Sequence, residues 1–398
     1  YALNPFYLVN LDEIHRKHLN WLQKLPRIKP FYAVKCNSDP ILVKLLAHLG
    51  CGFDCASQRE IRQVLELGVT PNRIIYANPC KLDIHVKYAC ENGVNLMTFD
   101  NELELYKIKS NHPNAICVLR IATNDSDACV RLSLKFGADL KTSYKLIKLA
   151  HELGLSLAGI CFHVGYLQTD PKVFTESFKM ARLLFDFAKD TFGIEMSLLD
   201  IGGGYPGSSL EMNLFDDFAK EINSAIDEYF PLDLNKNLKI IAEPGRYYCC
   251  SAFNICVGII AKREMLMNDI DNLADSTNKS IMYYLNDGAY FSFRFLSQYK
   301  NTVPVLFKRK TLDEASFDII RDFSTYKTFS SILWGPTLDS TDVVLKDIQL
   351  PELNVGDFLI FKDMGAYTFS ASCDFNSMRS FLFVYAISEV LKQSLNFL

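Results

Sequence analysis

The sequence predicts a closed (β/α)₈ barrel followed by a mostly antiparallel β domain. Three observations carry this. Eight short β-rich runs alternate with helix-spaced segments between Arg27 and Gly245, the rhythm is lost after about residue 250, and a reactive polar residue stands near almost every run's C-terminal end. Alternation alone would also suit a doubly wound open sheet; the count of eight favours closure.

Phe6–Asn10 is an extended run ahead of the first helix and can join the later β sheet. The β-rich runs of the barrel are Arg27–Lys35, Gly52–Ala56, Arg73–Asn78, Asn95–Asp100, Ala115–Ala122, Leu157–Gly165, Ser197–Gly203 and Leu238–Gly245. Between them, Pro40–Leu49, Gln58–Leu67, Tyr144–Leu153, Val173–Phe187 and Leu214–Phe230 show helical apolar spacing. Asp39–Pro40 and Asp170–Pro171 are helix starts, and Gly50, Gly68 and Gly154 are stops. Beyond them, Ser251–Lys262, Ser280–Leu285, Ser330–Trp334, Asp357–Phe361 and Ser380–Ser388 read as strands, with the polar stretch Asn268–Lys279 between two of them. The barrel is assigned to 11–249, and the β domain to 1–10 with 250–398.

Composition excludes several classes. Of 398 residues, 49% are hydrophobic and 22% charged, and 42 Lys plus Arg against 46 Asp plus Glu leave a formal charge of −4. That balance suits neither a polybasic nucleic-acid binder nor an acidic disordered chain. No apolar run approaches the roughly 18 residues of a membrane span. Twelve cysteines show no CxxC pair or metal-ligand spacing, and most lie in apolar runs (Cys55, Cys117, Cys161, Cys256). The expectation is buried, reduced thiols in a cytoplasmic protein without a metal site. The chain starts at Tyr1 without a methionine, leaving room for a trimmed targeting segment.

In (β/α)₈ enzymes the site forms at the strands' C-terminal ends. Lys35, Asp54, Asn78, Arg120, His163, Gly202–Gly203–Gly204 and Glu243-Pro-Gly245-Arg246 all fall there. Singly, each has a bland explanation, a solvated lysine or a satisfied core histidine. Together they have a chemical logic. Tri-glycine backbone amides and Arg246 suit a phosphate, a buried Glu243 needs a cationic or protonated partner, and a lysine among them can capture an aldehyde. That inventory describes a pyridoxal phosphate site.

Longer motifs point the same way. Pro30-Phe-Tyr-Ala-Val-Lys-Cys-Asn37, Gly52-Phe-Asp-Cys-Ala-Ser57, Tyr76-Ala-Asn-Pro-Cys-Lys81, Phe162-His-Val-Gly165, Leu199-Asp-Ile-Gly-Gly-Gly204, Ala242-Glu-Pro-Gly-Arg-Tyr-Tyr248, Asn286-Asp-Gly288, Trp334-Gly-Pro-Thr337 and Met364-Gly-Ala-Tyr-Thr368 resemble the eukaryotic ornithine decarboxylase family nearly end to end. The resemblance implies the alanine-racemase-like fold (fold type III) and a head-to-tail homodimer with active sites at the interface. It also implies roles. Lys35 would hold the cofactor aldehyde, Glu243 the pyridine nitrogen, and His163 would stack on the ring. Gly203, Gly204, Gly245, Arg246 and Tyr367 would hold the phosphate, and Asp54 and Arg120 would support the lysine, with Glu60 behind them. Asp339 would reach the partner subunit's site.

Four departures bear on substrate. Leu338 stands where the family has the cysteine regarded as reprotonating Cα, so either another group or water donates there, or turnover is slow, or catalysis is lost. Gln298 and Tyr299 stand where the family has Tyr-Asp, whose carboxylate binds a substrate's distal ammonium. Tyr166 replaces a serine that helps hold the phosphate, and Phe291 replaces a glycine; Asp342 is retained. With Phe375, the residues Gln298, Tyr299, Leu338 and Asp339 are the expected substrate pocket. Losing a carboxylate disfavours a buried ammonium, and added apolar surface favours a neutral chain. Decarboxylation of a neutral aliphatic L-amino acid such as leucine, on which one relative of the family acts, is therefore the leading expectation. Ornithine decarboxylation, supported by Asp339, is the alternative. A catalytically silent antizyme inhibitor is the third reading, since 107–141 resembles the family's antizyme-binding segment. Against it, inhibitors of the family tend to lose residues matching Asp54 or Arg246.

Overall fold

A computed structural model describes residues 4–166, 168, 170–266, 279–296, 303–310 and 316–395. The chain divides into a barrel unit, Ile14–Cys249, and a β unit made of Tyr1–Glu13 and Cys250–Leu398.

In the first part of the chain, β1 (Phe6–Asn10) leads into α1 (Leu11–Lys24). The alternation that follows is β2 (Ile28–Ala33), α2 (Pro40–His48), β3 (Gly52–Cys55), α3 (Gln58–Glu66), β4 (Ile74–Tyr76), α4 (Asp83–Glu91), β5 (Leu96–Phe99), α5 (Glu102–Asn111), β6 (Ile116–Arg120), α6 (Leu140–Glu152), β7 (Ser156–Cys161), α7 (Lys172–Phe192), β8 (Leu198–Asp200), α8 (Met212–Tyr229), β9 (Lys239–Ala242) and the single turn α9 (Arg246–Cys249). Parallel pairing runs β2 through β9, and β9 returns to β2 with Ile28 opposite Ile240, closing the barrel. The expected helix signals act as proposed. Asp39 accepts from Leu42 N at 2.9 Å, and Gly50, Gly68 and Gly154 take positive φ.

The predicted runs overshoot the strands at their C-terminal ends. Lys35, Asn78, His163, Gly203 and Glu243 all lie in the turns beyond them. Ladder pairing ends at the rim, and the side chains expected to do chemistry stand just past it.

Side-chain direction alternates along a strand, so register decides which residues share the barrel interior. Phe31, Ile75, Val118, Leu198 and Ile241 fill it. A Cβ at Gly52 would lie 2.6 Å from the Phe31 ring, so this glycine makes room for the ring. One registered row then brings Arg120, Cys161, Asp200 and Ile241 side by side.

The β unit holds β10 (Phe253–Leu266), β11 (Lys279–Leu285), β12 (Val305–Arg309), β13 (Phe317–Ile320), β14 (Thr328–Trp334), β15 (Val343–Pro351), β16 (Phe358–Phe361), β17 (Leu382–Ala386) and the terminal α10 (Glu389–Leu395). Pairing is mostly antiparallel, with parallel exceptions at β1–β17 and β11–β14. Strand β1 pairs antiparallel with β10, Phe6 opposite Cys256. The sequence reading did not assign β12, β13 and β15. Cys55, Cys117, Cys161 and Cys256 are buried as expected, whereas Cys80 and Cys129, in turns outside the apolar runs, are exposed. No helix of the described residues is long and apolar enough to cross a membrane.

Candidate active site

Lys35 lies in the 3-10 turn Val34–Cys36 after β2, and its Nζ donates to Asp54 Oδ2 at 2.5 Å. Asp54 is fully buried, whereas the Lys35 side chain keeps 36% of its surface. The amine is therefore both held and reachable. Burial pushes the Asp54 carboxyl up, opposed by the Lys35 and Arg120 charges. In the turn after Asp54, Ser57 Oγ accepts from Glu60 N at 3.3 Å and Glu60 Oε2 accepts from Ala56 N at 2.6 Å. This reciprocal cap fixes the start of α3. Burial raises the Glu60 carboxyl to about 6.

His163 is held on two sides: its carbonyl accepts from Thr123 Oγ1 at 2.9 Å, and Nδ1 accepts from Gly165 N at 3.1 Å. An accepting Nδ1 places the ring proton on Nε2. Burial, then the Arg120 and Lys35 charges, hold the imidazole well below its usual range, so it is neutral. Arg120 ends β6 with its guanidinium 5.3 Å from the Phe136 ring centre.

Glu243 follows β9, and its N–H donates to Gly202 O at 2.6 Å. Its carboxyl is pushed well up by burial and then by the Asp200 and Asp54 charges. Asp200 is raised to about 7 by burial, partly offset by Gly202 N, which donates to its Oδ1 at 2.9 Å, and by a hydrogen bond with Glu243. Burial and each other's charge thus push both carboxyls toward their protonated forms. Asp200 was absent from the expected site; its signal was a lone acid inside Leu198–Ile201. Ala77, Thr98, Arg120, Cys161, Phe162, His163 and Glu243 line a recess of about 210 Å³, part of it open to solvent.

The glycines allow close approach. A Cβ at Gly203 would stand 2.8 Å from His163 Nε2 and 2.9 Å from Glu243 O. At Gly204, φ is +103° and a Cβ would meet Gly165 O at 2.5 Å. Gly245 packs on Cys36, directly after Lys35, where a Cβ would meet Cys36 Cβ at 2.7 Å. Arg246 opens α9, buried, its guanidinium 3.8 Å from the Tyr166 ring centre. Lys17, which the sequence reading missed, is fully buried and donates at 2.6 Å to both Gly207 O and Tyr247 O. It ties the loop after β8 to α9 and so positions Arg246.

Asn78 shapes the turn after β4: its Oδ1 accepts from Cys80 N at 3.2 Å, its carbonyl accepts from Lys81 Nζ at 3.1 Å, and its Nδ2 lies 3.5 Å from Ala56 O.

The remaining expected residues belong to the β unit. Tyr367 has a φ of +55°. Asp339 Oδ2 accepts from Tyr290 Oη at 2.5 Å, and Oδ1 accepts from Thr341 N at 2.7 Å and Thr341 Oγ1 at 2.9 Å. These donors hold its carboxyl below the usual range. Leu338 is 86% exposed, and Phe375 stacks on Tyr290 with ring centres 4.5 Å apart. Asp342 organises the Trp334-Gly-Pro-Thr turn, accepting from Thr337 N at 3.0 Å and Ala289 N at 2.7 Å. Phe291 is a core side chain of the β unit, 3% exposed. Gln298 and Tyr299 lie outside the described residues.

A held but reachable lysine, a carboxyl pair pushed toward protonation, a neutral imidazole and a glycine turn converge on one barrel mouth. A family model described as pyridoxal-dependent decarboxylase, pyridoxal binding domain, matches residues 11–250. The chain belongs to the pyridoxal-dependent decarboxylases. It is 48% identical to antizyme inhibitor 2 of Xenopus laevis over 96% of this chain and 81% of that one. It is 46% identical to ornithine decarboxylase of Rattus norvegicus, covering 98% and 82%. The arginine decarboxylase of Paramecium bursaria Chlorella virus superposes with a TM-score of 0.84 at 32% identity, covering 96% of each chain. The barrel with its antiparallel β unit is thus the alanine-racemase-like fold, and the protein is a pyridoxal phosphate-dependent amino-acid decarboxylase. Its residues fit that cofactor: Lys35 offers an amine, the Glu243–Asp200 pair offers a carboxyl beside which a basic nitrogen can be held, and the glycine turn excludes any side chain that would block an anion.

Proposed function

We propose that this decarboxylase acts on a neutral aliphatic L-amino acid, with leucine as the test substrate. The observation that carries the reading is the state of Asp339. Its two oxygens already accept from Tyr290 and Thr341, beside a Leu338 that offers only apolar surface. A carboxylate committed to neutral donors is a poorer partner for a distal ammonium, and apolar surface favours a hydrocarbon chain. When bound, pyridoxal phosphate accepts the electron pair left at Cα as CO₂ departs. Lys35 would hold its aldehyde, with Asp54 keeping the amine in place. Glu243, with Asp200 behind it, would hold the ring nitrogen. The neutral His163 would pack against the ring, Arg120 supports Lys35 and Asp54, and Gly203, Gly204, Gly245, Arg246 and Tyr367 would hold the phosphate. Asp339, with Leu338, Phe375, Gln298 and Tyr299, serves the site of a partner subunit in a homodimer, and the protein works in the cytoplasm.

Ornithine is the second reading. It is favoured by the lowered pKa of Asp339, which keeps the charge an ammonium needs, and by relatives named ornithine decarboxylase. The similarity to a protein named antizyme inhibitor 2 supports a further role, antizyme binding through 107–141. The test offers leucine and ornithine in parallel to purified protein with pyridoxal phosphate. Isopentylamine without putrescine supports the neutral-substrate reading. Putrescine overturns it in favour of ornithine, and neither amine moves the case to the regulator.

A further inference from the structure

We infer that Tyr166 competes with the cofactor's phosphate for Arg246, and so sets how strongly the site prefers pyridoxal phosphate over unphosphorylated pyridoxal. The inference rests on the reading that Arg246 binds this phosphate. The Arg246 guanidinium lies 3.8 Å from the Tyr166 ring centre. At that separation the ring covers one face of the cation. Arg246 is only 9% exposed, so its charge is poorly hydrated and an aromatic face is a stronger partner than at an open surface.

The ring's position is imposed by the backbone. Tyr166 N donates to Val130 O at 3.1 Å, and Val130 N donates to Tyr166 O at 3.3 Å. This two-residue bridge joins the loop after β6 to the loop after β7. One residue earlier, Gly165 has a φ of +86°, and a Cβ there would lie 2.6 Å from Ala128 Cβ. The two loops are pressed together where the tyrosine leaves the chain, so its ring is delivered over Arg246. A phosphate engaging Arg246 must displace the ring or accept a narrowed approach. Pyridoxal, lacking the phosphate, has no such contest.

The experiment titrates the cofactor-free protein separately with pyridoxal phosphate and with pyridoxal, following absorbance. Variants are Y166S, Y166F, Y166L, R246A and the double variant Y166S/R246A. Y166S and Y166L are expected to tighten pyridoxal phosphate binding by several-fold, at most about 30-fold, the range a partly buried cation–ring contact spans. Pyridoxal binding stays unchanged, and Y166F behaves as wild type. In the double variant the gain disappears. Y166L keeps apolar bulk and serves if Y166S fails to fold. Unchanged or weakened pyridoxal phosphate binding in both Y166S and Y166L, with R246A still impaired, overturns the competition. An R246A protein that binds pyridoxal phosphate as wild type does would instead overturn the phosphate assignment beneath it.

Discussion

Replacing Asp200 with asparagine separates the acid's proton from its geometry. Asn keeps the Oδ1 acceptor for Gly202 N and removes the ionisable group whose charge raises Glu243. In the wild type, burial raises Asp200 from 3.8 to about 7. Its folded pKa lies above its unfolded one, so the native state binds the proton more tightly. Its contribution is fully present below about pH 4 and is lost as pH rises towards 7. A displacement of about three units corresponds to roughly 4 kcal/mol, an order-of-magnitude figure because Glu243 titrates beside it. For a unit of this size, that is on the order of 10 °C in Tm. The assay is calorimetry of cofactor-free wild type and D200N from pH 4.5 to 8.5, analysed as the difference between the two. Subtraction removes background from other raised acids such as Asp287, also near 7 in the β unit. Near pH 4.5 the two melt alike; by pH 8 D200N is the more stable. In the presence of pyridoxal phosphate the difference shrinks, because a cationic ring nitrogen beside Glu243 offsets the repulsion that raises both acids. A difference curve flat with pH would refute the raised pKa of Asp200.

Four further outcomes are expected. K35A loses both the absorbance of lysine-bound cofactor and amine production; a variant with full activity would show that another group holds the aldehyde. G203A, whose new Cβ meets His163 Nε2 and Glu243 O, loses about 1–3 kcal/mol in a denaturant melt and binds pyridoxal phosphate more weakly, and wild-type values in both would exclude this close packing. L338C restores a proton-donating thiol and is expected to raise putrescine formation relative to isopentylamine; an unchanged product ratio argues that residue 338 faces no substrate. F291A leaves a cavity in the β unit and lowers stability by about 3–5 kcal/mol, whereas a neutral result would contradict its core position.

The eight-fold alternation and the helix starts and stops were legible in the sequence because they are local. Period, capping side chains and chain-reversing glycines act over a few residues. The reactive types were legible too, since Lys35, Asp54, His163 and Glu243 interrupt apolar runs. Strands β12, β13 and β15 escaped because sheet pairing with distant partners overrides weak local patterning. Asp200 and Lys17 escaped for a related reason: an acid in an apolar run, or a lysine in a polar helix, looks unremarkable until the tertiary structure shows what it faces. Only the tertiary structure set Arg120, Cys161 and Asp200 in one row, turned Phe291 into the β-unit core, bound Asp339 to Tyr290 and laid Tyr166 on Arg246. Each is a contact between residues remote in the chain or pointing in directions that composition does not fix. The sequence determined which chemistry was available; strand register and burial decided which groups meet.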